Sequence, residues 1–164
     1  VGEGVYGAVV VAVIGAVVAG GGTLLAGVEA ALEAIPDNSD CHKAIQFARS
    51  QTASASGGAV IRERYQHLNV VHTVNNLALV IWALLRHPDD FSAAIGDVVA
   101  EGLDTDCNGA TVGALWALQG KAIPRHWLAP WDDAIGVSLA GQAVLNLEDL
   151  VTRTLAVEVS LRAS

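Results

Sequence analysis

The residues best placed to do chemistry lie in one run, DTDCNGATVGAL, Asp104 to Leu115. Two carboxylates and an amide alternate and a glycine follows, in a chain where only 16% of residues are charged. Asp104, Asp106, Asn108 and Gly109 match the first half of an EF-hand calcium loop, but Leu115 stands where that loop needs its bidentate Glu. There is no second such loop, and the apolar spacing of ATVGALWAL starts a helix at about Asn108, which consumes the rest. An EF-hand is therefore set aside. A helix N-cap explains one Asp, because a carboxylate there accepts an orphan backbone N–H and meets the positive end of the helix dipole. Two carboxylates about 4 Å apart repel by about 1–4 kcal/mol, depending on the local dielectric. The second Asp thus asks for solvent or a cation. Asp-x-Asp at a helix start offers two hard oxygen ligands suited to Mg²⁺ or Ca²⁺, beside N–H groups suited to an anion such as a phosphate.

The elements that must position this pair read as helix after helix. Gly4 to Val28 carries no Asp, Glu, Lys, Arg or His and is long enough to span a bilayer, yet GGG at Gly20–Gly22 splits it. The reading is a buried helix, a break, and a second helix capped by Thr23, with Ala8, Ala12, Ala16 and Gly20 as its close-packing face. Leu24–Ile35 is amphipathic, and Cys41–Ser50 is a short helix entered through PDNSD. Ser50–Ala59 reads as a loop and Ile61–Val70 is ambiguous. Thr73–Arg86 is apolar nearly all round, hence a central helix stopped by Pro88; Asp89 or Asp90 then caps FSAAIGDVVAEG. IPRHW (Ile123–Trp127) is a turn and Asn146–Ser160 a last helix, with no β alternation and no internal repeat. Trp82 and Trp116 are expected in the core, and Trp127 and Trp131 against the turn after the metal helix. The class is all-α, within one domain or the C-terminal portion of one over residues 1–164.

Composition narrows the function classes. Hydrophobic residues make up 52%, enough for a large core, while aromatics are only 5%. The net charge of −8 and the lack of a basic stripe exclude a nucleic-acid binder. Cys41 and Cys107 form no CxxC pair, so reduced thiols in a cytoplasmic protein are expected. His67 and His72 are spaced wrongly for a shared metal on a helix. No G-x-S-x-G elbow and no phosphate-binding glycine loop with Lys occurs. The chain contains no Met, which reads as a processed product or part of a longer protein. In HTVNN (His72–Asn76), polar groups cluster at the mouth of the central apolar helix, either to line a pocket or to serve as a cap with internally bonded amides.

EGLDTDCNGATVGALWALQGKAIPRHW (Glu101–Trp127) resembles the C-terminal metal motif of the ADP-ribosylglycohydrolase family. That motif runs Gly, Asp-x-Asp followed by Thr, Ser or Cys, a small-residue helix, then Ile-Pro and Trp. Val71–Ile95 resembles the segment preceding it in bacterial members, and EGVYGA and ALEAIP fit loosely. The resemblance covers nearly the whole chain and aligns it with roughly the C-terminal half of such enzymes. It implies an all-α orthogonal helical bundle, here incomplete. It also implies hydrolysis of the glycosidic bond between ADP-ribose and a protein side chain or other acceptor, using two Mg²⁺ ions. Carried over, Asp104 and Asp106 are the catalytic metal ligands, and Cys107 takes a ligand position where many members have a Thr or Ser hydroxyl. His72, Asn75, Gly102 and Asn108 would contact an ADP-ribose-type ligand. Glu101 and Leu103 replace the usual residues before the motif. The family's other metal cluster, a Thr with adjacent Asp residues, has no counterpart in this sequence, and its catalytic Glu lies upstream. Half a metal site is therefore expected, with self-association or pairing with a missing N-terminal half. The competing expectation is a non-catalytic helical module that pairs with another chain.

Overall fold

The computed structural model describes residues 2–162, which are mostly helical with one small sheet, as the all-α reading requires. The chain divides into two compact units, one ending at Ala122 and one starting at Ile123.

In the first unit, α1 (Glu3–Ala19) and α2 (Leu24–Ala34) pack together across the glycine break. The break is specific to glycine. Gly21 has φ +92°, and a Cβ on Gly22 would lie 2.9 Å from the carbonyl oxygen of Val17. Thr23 caps α2 as expected, its Oγ1 accepting from Ala26 N–H at 3.1 Å. The packing face of α1 is not the one its small-residue stripe suggested. Gly7, Val10, Ile14 and Val18 are buried, whereas Ala8, Ala12, Ala16 and Gly20 are exposed. Burying Val and Ile removes more apolar area from water than burying Ala, and the close approach comes from the partner instead. A Cβ on Gly27 of α2 would stand 3.1 Å from the Ile14 Cα. Among the described residues no helix is long and apolar enough to cross a membrane.

Next come α3 (Asp40–Ser50) and α4 (Gly57–Arg64), the latter claiming residues read as loop in the sequence. The central helix α5 (Thr73–Arg86) has the expected bounds and packs against α1 to α4 and against the two helices that follow it. Of those, α6 (Phe91–Ala100) is capped by Asp90, whose Oδ1 accepts from Ala93 N–H at 2.9 Å, and α7 (Thr105–Ala117) starts three residues before the apolar spacing suggested. Trp82 and Trp116 are buried, as their setting among apolar residues implied.

The second unit corrects the sequence reading in two places. After a short helix α8 (Arg125–Leu128) and a 3-10 turn, β1 (Ala134–Leu139) and β2 (Gln142–Asn146) form an antiparallel hairpin. Ile135 faces Leu145, and Leu139 faces Gln142 across a two-residue turn in which Gly141 adopts φ +75°. The strands are short, and an irregularity between Gly136 and Leu139 breaks the alternation that would have announced them. Trp131, expected to pack, is 62% exposed. The last helix, α9 (Leu147–Arg162), begins where Asn146 Oδ1 accepts from Asp149 N–H at 3.1 Å.

Candidate metal centre

Between α6 and α7 the backbone turns through two consecutive left-handed residues, Gly102 at φ +78° and Leu103 at φ +64°. Gly102 takes that conformation freely just past the end of α6. Leu103 does so at a cost of about 1–3 kcal/mol, a strain that persists only where the surroundings enforce it. The turn delivers Asp104 to the N-cap position of α7, with Asp106 and Cys107 in the first turn. Yet the Asp104 side chain makes no capping hydrogen bond, so the cap does not use its carboxylate. Asp104 is half-buried, and Asp106 and Cys107 are exposed; each offers one ligand atom, all within 4.8 Å of one another.

Those donors differ in kind. The carboxylates are hard oxygen ligands, matched to Mg²⁺ or Ca²⁺. Hydrogen bonding to Asp104, and then its negative charge, push the exposed Cys107 thiol above its ordinary value. A thiol kept protonated is a poor ligand, and sulfur is soft where the oxygens are hard.

Behind Asp104 lies an amide network of HTVNN, internally bonded as one of the two sequence readings had it, whose link to Asp104 and Asn108 the sequence did not show. Asn76 Oδ1 accepts from Asp104 N–H at 3.2 Å and from Asn108 Nδ2 at 2.7 Å. Asn76 Nδ2 donates to the carbonyls of Val70 and His72 at 2.8 and 2.9 Å. Asn108, one of the proposed ligand contacts, is thus buried against Asn76, and its backbone N–H bonds to Asp104 O. HTVNN was visible as a polar cluster, but one helical step of about 100° separates Asn75 from Asn76, and sequence cannot say which faces the loop.

The other expected contacts sit elsewhere. Asn75 is 1% exposed and internally bonded, with Nδ2 donating to Asn69 O at 3.0 Å. His72 is the N-cap of α5, its Nδ1 accepting from Val74 N–H at 3.2 Å. It lines a separate hollow of about 290 Å³ together with Glu3, Asp40, Lys43, Arg64 and His67. Gly102 contributes a backbone turn and no wall. A larger groove of about 550 Å³ does reach Asp104, though Asp106 is not among its lining residues. Its walls come from Gly4, Gly7, Ala8 and Ala12 of α1 and from Val71 to Val80, and it ends on Asp104, Cys107, Asn108 and Thr111. Gly4, Gly7, Ala8 and Val71 join the site only through folding.

No curated protein and no solved structure matches the chain. The model of one protein family, ADP-ribosylglycohydrolase, matches residues 2–159 and so runs through both compact units. With a match over nearly its entire length, the chain belongs to the ADP-ribosylglycohydrolase family.

Proposed function

We propose that this chain contributes Asp104 and Asp106 as one side of a Mg²⁺ centre that cleaves the glycosidic bond of an ADP-ribose conjugate. The observation that carries the reading is the Asp104 carboxylate, which sits at a helix start without capping it and lies within 4.8 Å of the Asp106 and Cys107 ligand atoms. Asp104 and Asp106 would hold the ion, which would supply charge stabilisation as the glycosidic bond breaks. The chain's own part is to hold the two carboxylates and to seat the ligand. The groove offers an apolar wall leading to polar groups at its end, the usual make-up of a small-molecule site. Cys107 would lie beside the ion, its thiol hydrogen-bonded to Asp104. Two acidic ligands leave most of an octahedral shell to water, substrate or further residues, so weak Mg²⁺ binding and little turnover are expected of this chain alone.

Isothermal titration with Mg²⁺ and with ADP-ribose tests this reading. Saturable heats are expected, and the double substitution Asp104→Ala, Asp106→Ala should abolish the Mg²⁺ response. Absence of any response in the unaltered chain, or a response unaffected by the double substitution, would sink the metal assignment.

A second reading is a helical module that pairs with another chain. It is favoured by α1, whose outer face of Val5, Ala8, Ala12 and Ala16 is exposed although the helix is apolar on every side. Light scattering behind size-exclusion chromatography separates the readings: a clean monomer argues against obligate pairing.

A further inference from the structure

We propose that Asn76 is the positioning residue of the metal centre, its single amide locking Asp104 in place and tying the metal loop to the groove wall. The inference rests on the metal reading above and goes beyond it, because Asn76 touches no ion in that reading.

The amide is fully used. Its Nδ2 donates to the carbonyls of Val70 and His72, with Asn75 Oδ1 a further acceptor at 3.2 Å, and its oxygen accepts from Asp104 N–H and Asn108 Nδ2. Two donors and two acceptor sites exhaust what the group can offer on those sides. Its orientation is also unique. Carbonyls only accept and a backbone N–H only donates, so flipping the amide would break three backbone contacts at once. Asn76 is 9% exposed, which strengthens each bond and makes each unpaired partner costly.

The location gives the network its consequence. The N–H it holds belongs to Asp104 and directly follows Leu103, the strained left-handed residue. A strained junction needs an outside restraint to stay in one conformation, and Asn76 supplies it from α5, the most buried helix of the unit. The same amide grips both carbonyls flanking Val71, whose side chain lines the groove. Groove wall and carboxylate therefore share one anchor, and their spacing is set by one side chain. Second-layer groups of this type tune metal affinity without touching the metal.

The test uses the whole chain with Mn²⁺ as an electron-spin-resonance probe and residue-resolved amide exchange as an independent readout. In Asn76→Ala, amides of α2 and α5 should keep their protection while Asp104 exchanges about tenfold faster. Its Mn²⁺ Kd should rise about 10- to 100-fold. Should Asn76→Ala fail to fold, Asn108→Ala removes one of the four bonds and should show the same two changes at smaller size. Gly57→Ala, a core change against Gln51 and Trp82 that leaves the four Asn76 amide bonds in place, should lower Tm and leave Mn²⁺ affinity unchanged. Wild-type exchange at Asp104, or wild-type Mn²⁺ affinity, in Asn76→Ala overturns the inference. A wild-type chain that fails to deplete the Mn²⁺ signal, or an Asp104→Ala, Asp106→Ala variant that still depletes it, removes the metal centre itself. That result is distinct, because exchange at Asp104 still reports whether Asn76 holds the loop.

Discussion

Glu3 illustrates how single residues act across the chain here. It opens α1, yet its carboxylate accepts from Cys41 N–H at 2.8 Å, at the start of α3 and far away in sequence. Ser39 Oγ takes the next amide, His42 N–H, at 3.1 Å, so two residues share the capping of one helix. Burial by itself would push the Glu3 carboxyl up; hydrogen bonds from Cys41 and Asp40 overcome it and hold the group below its ordinary value. A carboxyl depressed in the folded state stabilises the fold above its unfolded pKa, and that contribution is lost as pH falls through the folded value. Glu3→Gln should therefore cost about 0.5–2 kcal/mol at neutral pH. The gap from the unaltered chain should close on acidification below the unfolded value of 4.5. Urea unfolding across that pH range measures it, and a gap independent of pH would contradict the capping role. Beside Glu3, burial first and the hydrogen bond to Glu3 second push the Cys41 thiol up to about 12, so it packs as a small apolar group. The Ser39 cap was legible, since PDNSD was expected to open this helix, but the Glu3 contact was not, because nothing local links Glu3 to the start of α3. The Asp104 and Asp106 pair was legible, because its members are two residues apart and need no folding to meet.

Local signals placed most of the helices. Thr23 and Asp90 lie where a cap must lie, and a run as apolar as Leu77 to Leu85 has few places to go but the centre. Reading failed where a contact across the fold decided the element. Gly57 and Gly58 looked like loop glycines but open α4, because the chain must pass close to its neighbours there. A Cβ on Gly57 would stand 2.5 Å from both the Gln51 carbonyl oxygen and the Trp82 indole nitrogen. One of these is backbone and the other a fully buried ring, so neither can yield easily. Gly57→Ala is expected to destabilise the chain by about 1–3 kcal/mol, as overpacking in a core does. Thermal unfolding checks this, and an unchanged or raised Tm would show that α4 can shift aside. The exposed Ala8, Ala12, Ala16 stripe teaches the same lesson in reverse. Periodicity singled out the small-residue face of α1, whereas the face that packs is that of Gly7, Val10, Ile14 and Val18.

At the scale of the molecule, burial is uneven. Every buried residue among those described lies at or before Trp116, in the first unit, while α9 and the hairpin bury none fully. Stability follows buried apolar surface, so the two units should differ widely in it. The segment from Gly120 to Ala122 is exposed and has no helix to protect it. Limited proteolysis should cut first near there or beyond. The remaining N-terminal fragment should keep its helical circular dichroism and cooperative melt. Early cleavage inside α2 or α5, or a fragment that unfolds, would show that the first unit depends on the rest of the chain.

Composition, helix punctuation and one short motif were enough to determine an all-α chain, a central apolar helix and a carboxylate pair at a helix start. These are properties of neighbours in sequence, governed by periodicity, caps and spacing. The identity of the residue that bonds the Asp104 backbone was decided only in three dimensions. Asn75 and Asn76 are chemically identical and adjacent, and the rotation of α5 in its packed setting turns one toward Asn69 and the other toward Asp104. The same packing brought Val71 and the glycines of α1 to the rim of the carboxylate site. A hydrogen bond between residues 28 positions apart depends on how helices settle against one another, and that depends on the whole core at once.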